Sequence, residues 1–288
     1  MLGKAQNIGR TLTLVCSSIF FLASCAAPDP SQVAQQELAQ ELQVGRALSA
    51  AILARYPALQ SGEWGARTEY LRSLGETLSR QVGRPELEHH FTWVESPEIN
   101  ALAAPGGYIF LTRGLFEAIE SEDELVAVLL HEITHVTEKH VYQRIVPPKS
   151  TGFAFVLARA LSGGRGDLGV AVSKSIQQGL QILLEQGLGQ ELEKKADVEA
   201  ISISAHLGYP PQALEKLLAR SEQKVRLESK SLPKTHPPMK ERFQWLQDWI
   251  RNQNLMEQFD LQKSKIKPQA LAARLQRFRR IKLTAGKF

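Results

Sequence analysis

A run of hydrophobic positions at helical spacing dominates the middle of the chain. Leu125, Val128, Leu129 and Val136 recur three, four or seven residues apart, which places their side chains on one face of an α-helix. The pattern predicts one amphipathic helix over residues 122–145. A helix of this kind buries its apolar face against the rest of a domain.

The residues at the two ends of this segment support the same helix. Ser121 is a favourable N-cap, and Glu124 completes a Ser-x-x-Glu capping box. The acidic residues 122–124 fall in the first turn, where the helix dipole favours negative charge. Pro147-Pro148 cannot continue a helix and marks its end.

Periodicity and turn residues predict a mostly helical α+β fold around this segment. Short strands are expected at 87–94 and 108–111, on either side of a Pro105-Gly106-Gly107 turn, and a small mixed or antiparallel sheet would lie beside the 122–145 helix. Residues 151–186 are moderately apolar and predict a buried helical hairpin or a flap. Further helices are predicted at 36–60, 66–82, 191–207, 212–229 and 238–253.

The first 24 residues have the pattern of a signal peptide. Lys4 and Arg10 form a positively charged start. The apolar stretch that follows, 11–22, is too short for a membrane-spanning helix, which needs ~20 residues.

The end of this stretch resembles the lipobox of bacterial lipoproteins. It reads Leu22-Ala23-Ser24-Cys25, which predicts cleavage before Cys25 and lipidation of its thiol. An ordinary secretory cleavage site with a cysteine nearby is the alternative. In lipoproteins an Asp after the cysteine favours the inner membrane, so Ala26 predicts a lipid anchor in the outer membrane, with the protein facing the periplasm.

These features divide the chain into a signal peptide at 1–24, a lipidated tether at 25–38, one domain at 39–254 and a basic C-terminal tail at 255–288. The tail has nine Lys or Arg residues against two acids, which exceeds the whole net charge of +5. The domain itself is therefore not basic, and nucleic acid is not an expected partner. The tail could contact anionic lipid or an acidic partner, or form a solvated helix.

The candidate chemistry lies in the predicted 122–145 helix, where the chain reads His131-Glu132-Ile133-Thr134-His135. Residues four apart share a helix face, so both imidazoles can bind one metal ion, and imidazole nitrogen is a good zinc ligand. Glu132 is rotated ~100° from His131. It can stand beside the metal as the general base that activates water.

A catalytic zinc usually takes three protein ligands and keeps one position open. The later segment Glu191-Leu192-Glu193-Lys194-Lys195-Ala196-Asp197 offers three carboxylates. Glu193 and Asp197 share a helix face, so that one can bind the metal while the other orients a ligand histidine. From the residues alone, a solvated charged face remains an alternative.

The segment HEITHVTEKH followed by ELEKKAD resembles the gluzincin metallopeptidases of peptidase family M48, which includes HtpX and the CAAX prenyl endopeptidases. Within this family, the chain more strongly resembles the soluble periplasmic lipoproteins. The resemblance implies a zincin-like domain with one Zn²⁺ per chain. It implies that Glu193 is the third ligand beside His131 and His135, that Glu132 is catalytic, and that Asp197 orients a ligand.

Two further segments carry the resemblance. Asn100-Ala101-Leu102-Ala103-Ala104-Pro105-Gly106-Gly107-Tyr108 is similar to a family segment that precedes an edge strand for extended substrates. This implies substrate contacts at Asn100, Gly106, Gly107 and Tyr108. Thr235-His236-Pro237 is similar to the family's Thr-His-Pro segment.

The remaining histidines are expected to have different roles. His236 could fill the fourth zinc position in a resting state, donate a hydrogen bond to an oxyanion, or be purely structural. His140 would lie about 180° from His131 on a continuous helix and is expected to be a core or capping residue. His89 and His90 are expected to be strand residues.

Two functions fit the sequence. The first is a zinc-dependent endopeptidase that degrades unfolded or misassembled cell-envelope proteins, with an extended substrate added to the strand near 108–111. The second is a zinc-stabilised chaperone or assembly factor with little or no peptidase activity. The presence of Glu132 favours the enzyme, because a binding protein has no need of a general base.

Overall fold

The computed structural model describes residues 29–146, 176–227 and 236–283. The signal peptide, Cys25, Thr235 and the greater part of the predicted 151–186 hairpin lie outside the described residues.

Ten helices with defined bounds and three strands are described in these ranges, and residues 176–181 are also helical. The helices are α1 Pro30–Arg55, α2 Trp64–Ser79, α3 Arg113–Ala118, α4 Glu122–Thr137, α5 His140–Ile145, α6 Gln190–His206, α7 Ala213–Leu227, α8 Met239–Asn252, α9 Leu255–Ser264 and α10 Pro268–Leu283. The strands are β1 His90–Val94, β2 Ala101–Ala104 and β3 Tyr108–Thr112. A π-helical turn, Ile182–Gln186, precedes α6.

The three strands form a mixed sheet in the order β1-β3-β2. β1 pairs with β3 in parallel, with His90 opposite Tyr108, and β2 pairs with β3 antiparallel, with Ala101 opposite Leu111. The predicted α+β fold, mostly helical with a small sheet, is confirmed. The expectation that the strand near 108–111 is an edge strand is wrong, because β3 is the central strand and has partners on both sides.

The turn before β3 needs glycine at two positions. Gly106 has φ 74° and Gly107 has φ 96°, backbone conformations that residues with a side chain rarely adopt. A Cβ on Gly107 would also lie 2.2 Å from the carbonyl oxygen of Glu88. The turn predicted at Pro105-Gly106-Gly107 is confirmed, and it brings the antiparallel strands β2 and β3 together.

The central helix α4 lies against α6, α2, α7 and the sheet, and nearly all of its residues are buried. Its N-terminus is capped as predicted by Ser121, whose Oγ accepts from the amide of Glu124 at 3.3 Å. The Glu124 carboxylate accepts from the amide of Glu120 at 2.8 Å, not from the amide of the cap itself.

The predicted helix over 122–145 is two helices in the structure. Lys139 has φ 56°, in the left-handed region, so the chain turns between Thr137 and His140 before α5 begins. A left-handed residue other than glycine interrupts the helix without a sequence signal as strong as Pro or Gly. This break changes the position of His140, as described below.

Helix α1 begins at Pro30, inside the segment predicted as a tether, and the Asp29 carboxylate caps it by accepting from the amide of Ser31 at 3.0 Å. It contacts the Pro105–Gly107 turn closely enough that a Cβ on Gly45 would lie 1.9 Å from the carbonyl oxygen of Pro105. The part of α1 inside the predicted tether, residues 30–37, is exposed, and Leu38 packs against the core.

The C-terminal segment also differs from expectation. Instead of a separate basic tail, α9 and α10 return to the domain, where α9 contacts α6 and α10 contacts α2 and α4. Phe259 and Phe278 are buried in the main hydrophobic core. The ammonium group of Lys282 lies 4.5 Å from the centre of the Phe116 ring.

Within the described ranges, no helix combines the length and apolar composition required to cross a membrane.

Candidate metal centre

The two histidines of the α4 motif point to the same place. Their Nε2 atoms lie 3.0 Å apart, and both rings are buried. The four-residue spacing on one helix produces this arrangement, because residues i and i+4 lie one above the other.

Helix α6 crosses α4 and brings Glu193 to the same point. Its Oε2 lies 3.5 Å from Nε2 of His131, and its Oε1 lies 3.6 Å from Nε2 of His135. The side chain of Glu193 is only 1% exposed. A carboxylate at this depth needs cationic partners or a metal ion, since burial of an unpaired charge is costly.

The spacing of the three donor atoms fits a metal ion. Ligand atoms at ~2.1 Å from a tetrahedral metal lie about 3.4 Å from one another. The separations of 3.0, 3.5 and 3.6 Å between His131, His135 and Glu193 are close to that value. Two imidazoles and one carboxylate are also a donor set that zinc accepts.

Asp197, one turn after Glu193, lies behind His131. Its Oδ1 is 2.9 Å from Nδ1 of His131, although that contact is not aligned as a hydrogen bond. The same carboxylate accepts two hydrogen bonds from Arg242, at 2.9 and 2.6 Å, and one from Nε1 of Trp245 at 2.9 Å. Asp197 thus connects the histidine to α8.

The carboxylates of this site are held in their ionised form. Burial alone would raise the pKa of Asp197, but the Arg242 guanidinium outweighs burial and holds that pKa well below its usual range. Burial would likewise raise the pKa of Glu193, but His236 and His131 hold it well below its usual range. An ionised carboxylate is the form that binds a metal ion.

The two α4 histidines differ in protonation. Burial and the neighbouring His131 hold the pKa of His135 well below its usual range, so this ring is neutral and ready to bind a metal. Burial would also lower the pKa of His131, but contacts with Asp197 and Glu193 outweigh it and raise that pKa to about 10. A metal ion bound here would displace the proton of His131.

Glu132 is buried beside these candidate ligands but projects from a different face of α4. Burial raises the pKa of its carboxyl group, which makes the group a stronger proton acceptor than an exposed glutamate. It borders the same cavity as His131.

His140, expected to be a core or capping residue, contacts a member of the site. Its Nδ1 lies 2.9 Å from Nδ1 of His135. Burial lowers the pKa of His140 to about 4, so its neutral ring can accept the Nδ1 hydrogen of a His135 that uses Nε2 as ligand atom. The expectation assumed a continuous helix, and the break at Lys139 turns His140 back towards His135.

The structure places His236 at the same site. Its Nδ1 lies 2.5 Å from Oε2 of Glu193, and its ring centre is 5.6 Å from that of His131. Donor atoms of His131, Glu193 and His236 lie within 4.8 Å of one another. His236 is therefore close enough to join the ligand set.

The residues expected to contact substrate are in different environments. Asn100 borders the cavity beside His131, whereas Gly106 and Gly107 form the tight turn and the amide of Gly106 donates to Oε1 of Glu41 at 3.3 Å. The Tyr108 ring stacks on His90, with ring centres 4.8 Å apart. The strand beside the site is β2, whose first residue Ala101 lines the cavity.

This cavity has a volume of about 590 Å³ and opens next to His131 and Glu132. Its size is within the ~300–1,000 Å³ of typical ligand sites. Helices α4, α7 and α8, the start of β2 and the segment before α6 form its walls.

Comparison with known families agrees with this geometry. The family model for peptidase family M48 matches residues 65–250. The chain belongs to peptidase family M48. Members of this family are metallopeptidases, and the resemblance noted in the sequence is confirmed.

Similar proteins within the M48 family include named proteases. The chain is 33% identical over 180 residues to a beta-barrel assembly-enhancing protease of Yersinia pestis, covering 59% of this chain and 36% of that protein. It is 29% identical over 242 residues to a putative beta-barrel assembly-enhancing protease of Vibrio cholerae, covering 79% and 49%. It is 25% identical over 189 residues to the mitochondrial metalloendopeptidase OMA1 of Schizosaccharomyces pombe, covering 64% and 53%. The chain thus spans between about a third and a half of the length of these relatives.

Proposed function

We propose that this M48 protein is a zinc-dependent endopeptidase that degrades unfolded or misassembled cell-envelope proteins. The observation that carries the proposal is the position of Glu132, a buried carboxylate with a raised pKa beside the donor atoms of His131, His135 and Glu193. The names of the similar proteases from Yersinia pestis and Vibrio cholerae support an envelope protein as substrate.

In this proposal His131, His135 and Glu193 hold one Zn²⁺ ion. Zinc supplies a Lewis acid that polarises the scissile carbonyl and acidifies water. Asp197 and His140 fix the orientation of the ligand rings from behind. Glu132 takes a proton from the attacking water and then passes it to the leaving amine.

The substrate would bind as an extended chain along β2, which has β3 as its partner on one side and the active-site helix α4 nearby. Backbone hydrogen bonds to a strand depend little on the side chains of the substrate. This binding mode therefore suits unfolded substrates of varied sequence. β2 replaces the strand near 108–111 as the proposed docking strand, because that strand is central.

We further propose that Cys25 carries a lipid that anchors the protein in the outer membrane, facing the periplasm. The lipobox-like sequence Leu22-Ala23-Ser24-Cys25 and the following Ala26 support this location. It would place the protease among envelope proteins that have failed to assemble.

His236 is the proposed gate of the site. Its contact with Glu193 at 2.5 Å supports a role as the fourth metal ligand or as a hydrogen-bond donor to the substrate carbonyl. His236→Ala should raise peptidase activity if the histidine holds a resting state, and should lower it if the histidine stabilises the oxyanion. Unchanged activity together with unchanged zinc affinity would mean that His236 has neither role.

The proposed activity is tested by degradation of an unfolded protein such as reduced casein by the purified, zinc-loaded protein. Glu132→Gln should retain zinc and lose cleavage, whereas Glu138→Gln, an exposed change after α4, should behave like the wild type. Removal of zinc by a chelator should abolish cleavage, and added zinc should restore it.

The competing function is a zinc-stabilised chaperone or assembly factor, which the words "assembly-enhancing" in the relatives' names favour. If wild type and Glu132→Gln both retain one zinc ion and neither cleaves, while both suppress aggregation of the unfolded protein, the chaperone function replaces the enzymatic one.

A further inference from the structure

Helices α3, α4 and α7 form one wall of the cavity beside Glu132. Ser221 is the polar residue of this wall, and its hydroxyl group donates to the carbonyl oxygen of Leu217 at 2.8 Å. The other members are apolar: Leu115, Val128, Leu214, Leu217 and Leu218. No described role in metal binding or proton transfer involves any of them.

Four of the five apolar side chains of this wall lie on α4 and α7. Val128 lies one turn before His131 on α4, so the apolar wall begins directly beside the ligand and the general base. On α7, Leu214 is followed by Leu217 and Leu218 at the three- and four-residue spacing of one helix face. Val128 and Leu218 are each 8% exposed, more than the other members of the wall, as expected for side chains that border open space.

The two charged residues of α8 that border the cavity already have partners, and Glu132 borders it beside His131. Arg242 is bound by both oxygens of Asp197, and Glu241 accepts a hydrogen bond from Gln190 at 3.0 Å. A charged substrate side chain would therefore enter the apolar part without a counter-ion and would lose its hydration. A bulky apolar side chain would exchange water for hydrocarbon contacts.

We propose that this wall forms the specificity subsite of the peptidase and receives a bulky apolar side chain, such as Leu, Met or Phe, from one of the two residues that flank the scissile bond. The inference rests on the proposed function and adds the class of substrate that the site selects. Segments with large apolar residues are buried in folded proteins, so the subsite would recognise what unfolding exposes.

The test uses peptides that are identical except at the two residues flanking a single cleavage site. Leu, Phe, Ala, Asp and Lys are placed in turn at each of these positions. Because each missing methylene in an apolar pocket reduces kcat/KM roughly 10–200-fold, Leu or Phe should exceed Ala by about 100-fold or more at one position. Asp and Lys should be the poorest substrates at that position.

Variants of Leu218 test whether this wall is responsible. Leu218→Trp fills the subsite and should shift the preference towards Ala by at least tenfold, whereas Leu218→Ala enlarges it and should favour Phe over Leu. The matched control is Ala219→Trp, the same new side chain at the adjacent exposed position, and its preference should equal that of the wild type. If Leu218→Trp does not fold, Leu218→Phe provides a smaller filling change.

A binding measurement separates this inference from the proposed activity. Fluorescently labelled peptides are titrated into the Glu132→Gln protein, with and without Leu218→Trp. Tighter binding of the Leu and Phe peptides that is lost in Leu218→Trp supports the subsite even if no peptide is cleaved, in which case only the peptidase function fails. Cleavage or binding with no apolar preference, or a preference that Leu218→Trp and Leu218→Ala leave unchanged, overturns the subsite and leaves the peptidase function standing.

Discussion

At the scale of single residues, Asp197 joins the metal centre to the rest of the domain. Its carboxylate faces His131 from behind and accepts three hydrogen bonds from Arg242 and Trp245 on α8. Asp197 is fully buried and the Arg242 side chain is 4% exposed, so each charge depends on the other. A neutral residue at 197 would therefore affect both the ligand ring and the stability of the domain.

Asp197→Asn should weaken zinc binding about 10–100-fold, because an asparagine holds the His131 ring less firmly. It should also lower the free energy of unfolding by about 3–5 kcal/mol, because Arg242 loses its buried counter-ion. Zinc affinity is measured by competition with a chelator, and stability by denaturant unfolding. Glu191→Gln, at an exposed position on the same helix, is the control and should leave both quantities unchanged.

His140 should have a smaller effect that depends on its ring nitrogen. His140→Leu removes the acceptor for the Nδ1 hydrogen of His135 and should reduce zinc affinity about tenfold. His140→Asn supplies an amide oxygen near the same point and should recover part of that loss. Equal affinities for wild type, Leu and Asn variants would show that His140 does not orient the ligand.

At the scale of elements, α1 holds the turn between β2 and β3 in place. Glu41 is fully buried, where its carboxylate accepts from Arg84 at 2.8 Å and from the amide of Gly106 at 3.3 Å. One turn further along, Gly45 allows the helix backbone to approach Pro105 directly. The helix thus fixes the end of the strand that borders the active site.

Gly45→Ala should lower the free energy of unfolding by about 1–3 kcal/mol, because its Cβ would lie 1.9 Å from the carbonyl oxygen of Pro105 and the helix must move. The comparison is Gly65→Ala in α2, where the new Cβ has only an ordinary contact, 3.8 Å from a carbonyl oxygen. That variant should be as stable as the wild type or slightly more stable. Chemical denaturation measures both.

The element scale also shows what the sequence could predict. The cap at Ser121, the helical spacing after it and the glycine turn are local signals, and the structure has each of them. β2 was not predicted, because its sequence Ala101-Leu102-Ala103-Ala104 has low β propensity and its pairing with β3 is a tertiary contact. The break at Lys139 was not predicted either, and with it the contact between His140 and His135.

At the scale of the whole molecule, the basic C-terminal segment packs on the domain through Leu255, Phe259 and Phe278, while most of its other described residues are more exposed. The nine Lys and Arg residues predicted a tail separate from the domain. The same segment also contains two aromatic side chains that anchor it. Phe259 on α9 and Phe278 on α10 are buried, and Glu122 at the start of α4 lies 3.9 Å from Arg277 on α10. Helices α9 and α10 therefore contribute to the stability of the helix that carries the candidate metal ligands His131 and His135.

Phe278→Ala should lower the free energy of unfolding by about 3–5 kcal/mol, as expected when a buried aromatic side chain is removed from a core. Leu275→Ala, on the same helix but 49% exposed, should change it by less than about 0.5 kcal/mol. Thermal or denaturant unfolding measures the difference. Equal stabilities for the two variants would contradict the packing of α10 on the domain.

The burial of α4 on nearly all of its faces has a kinetic consequence for the proposed protease. Among the described residues, Glu132 and the candidate ligands His131, His135 and Glu193 are buried, so in the proposed function a client protein must present a loose segment to the cavity before it can be cut. When a client opens and closes faster than it is cleaved, its rate of loss follows the fraction of time that it spends open. Two clients with the same cleavable segment would then have lifetimes set by their own folding stability. The client that spends more time unassembled would be degraded faster.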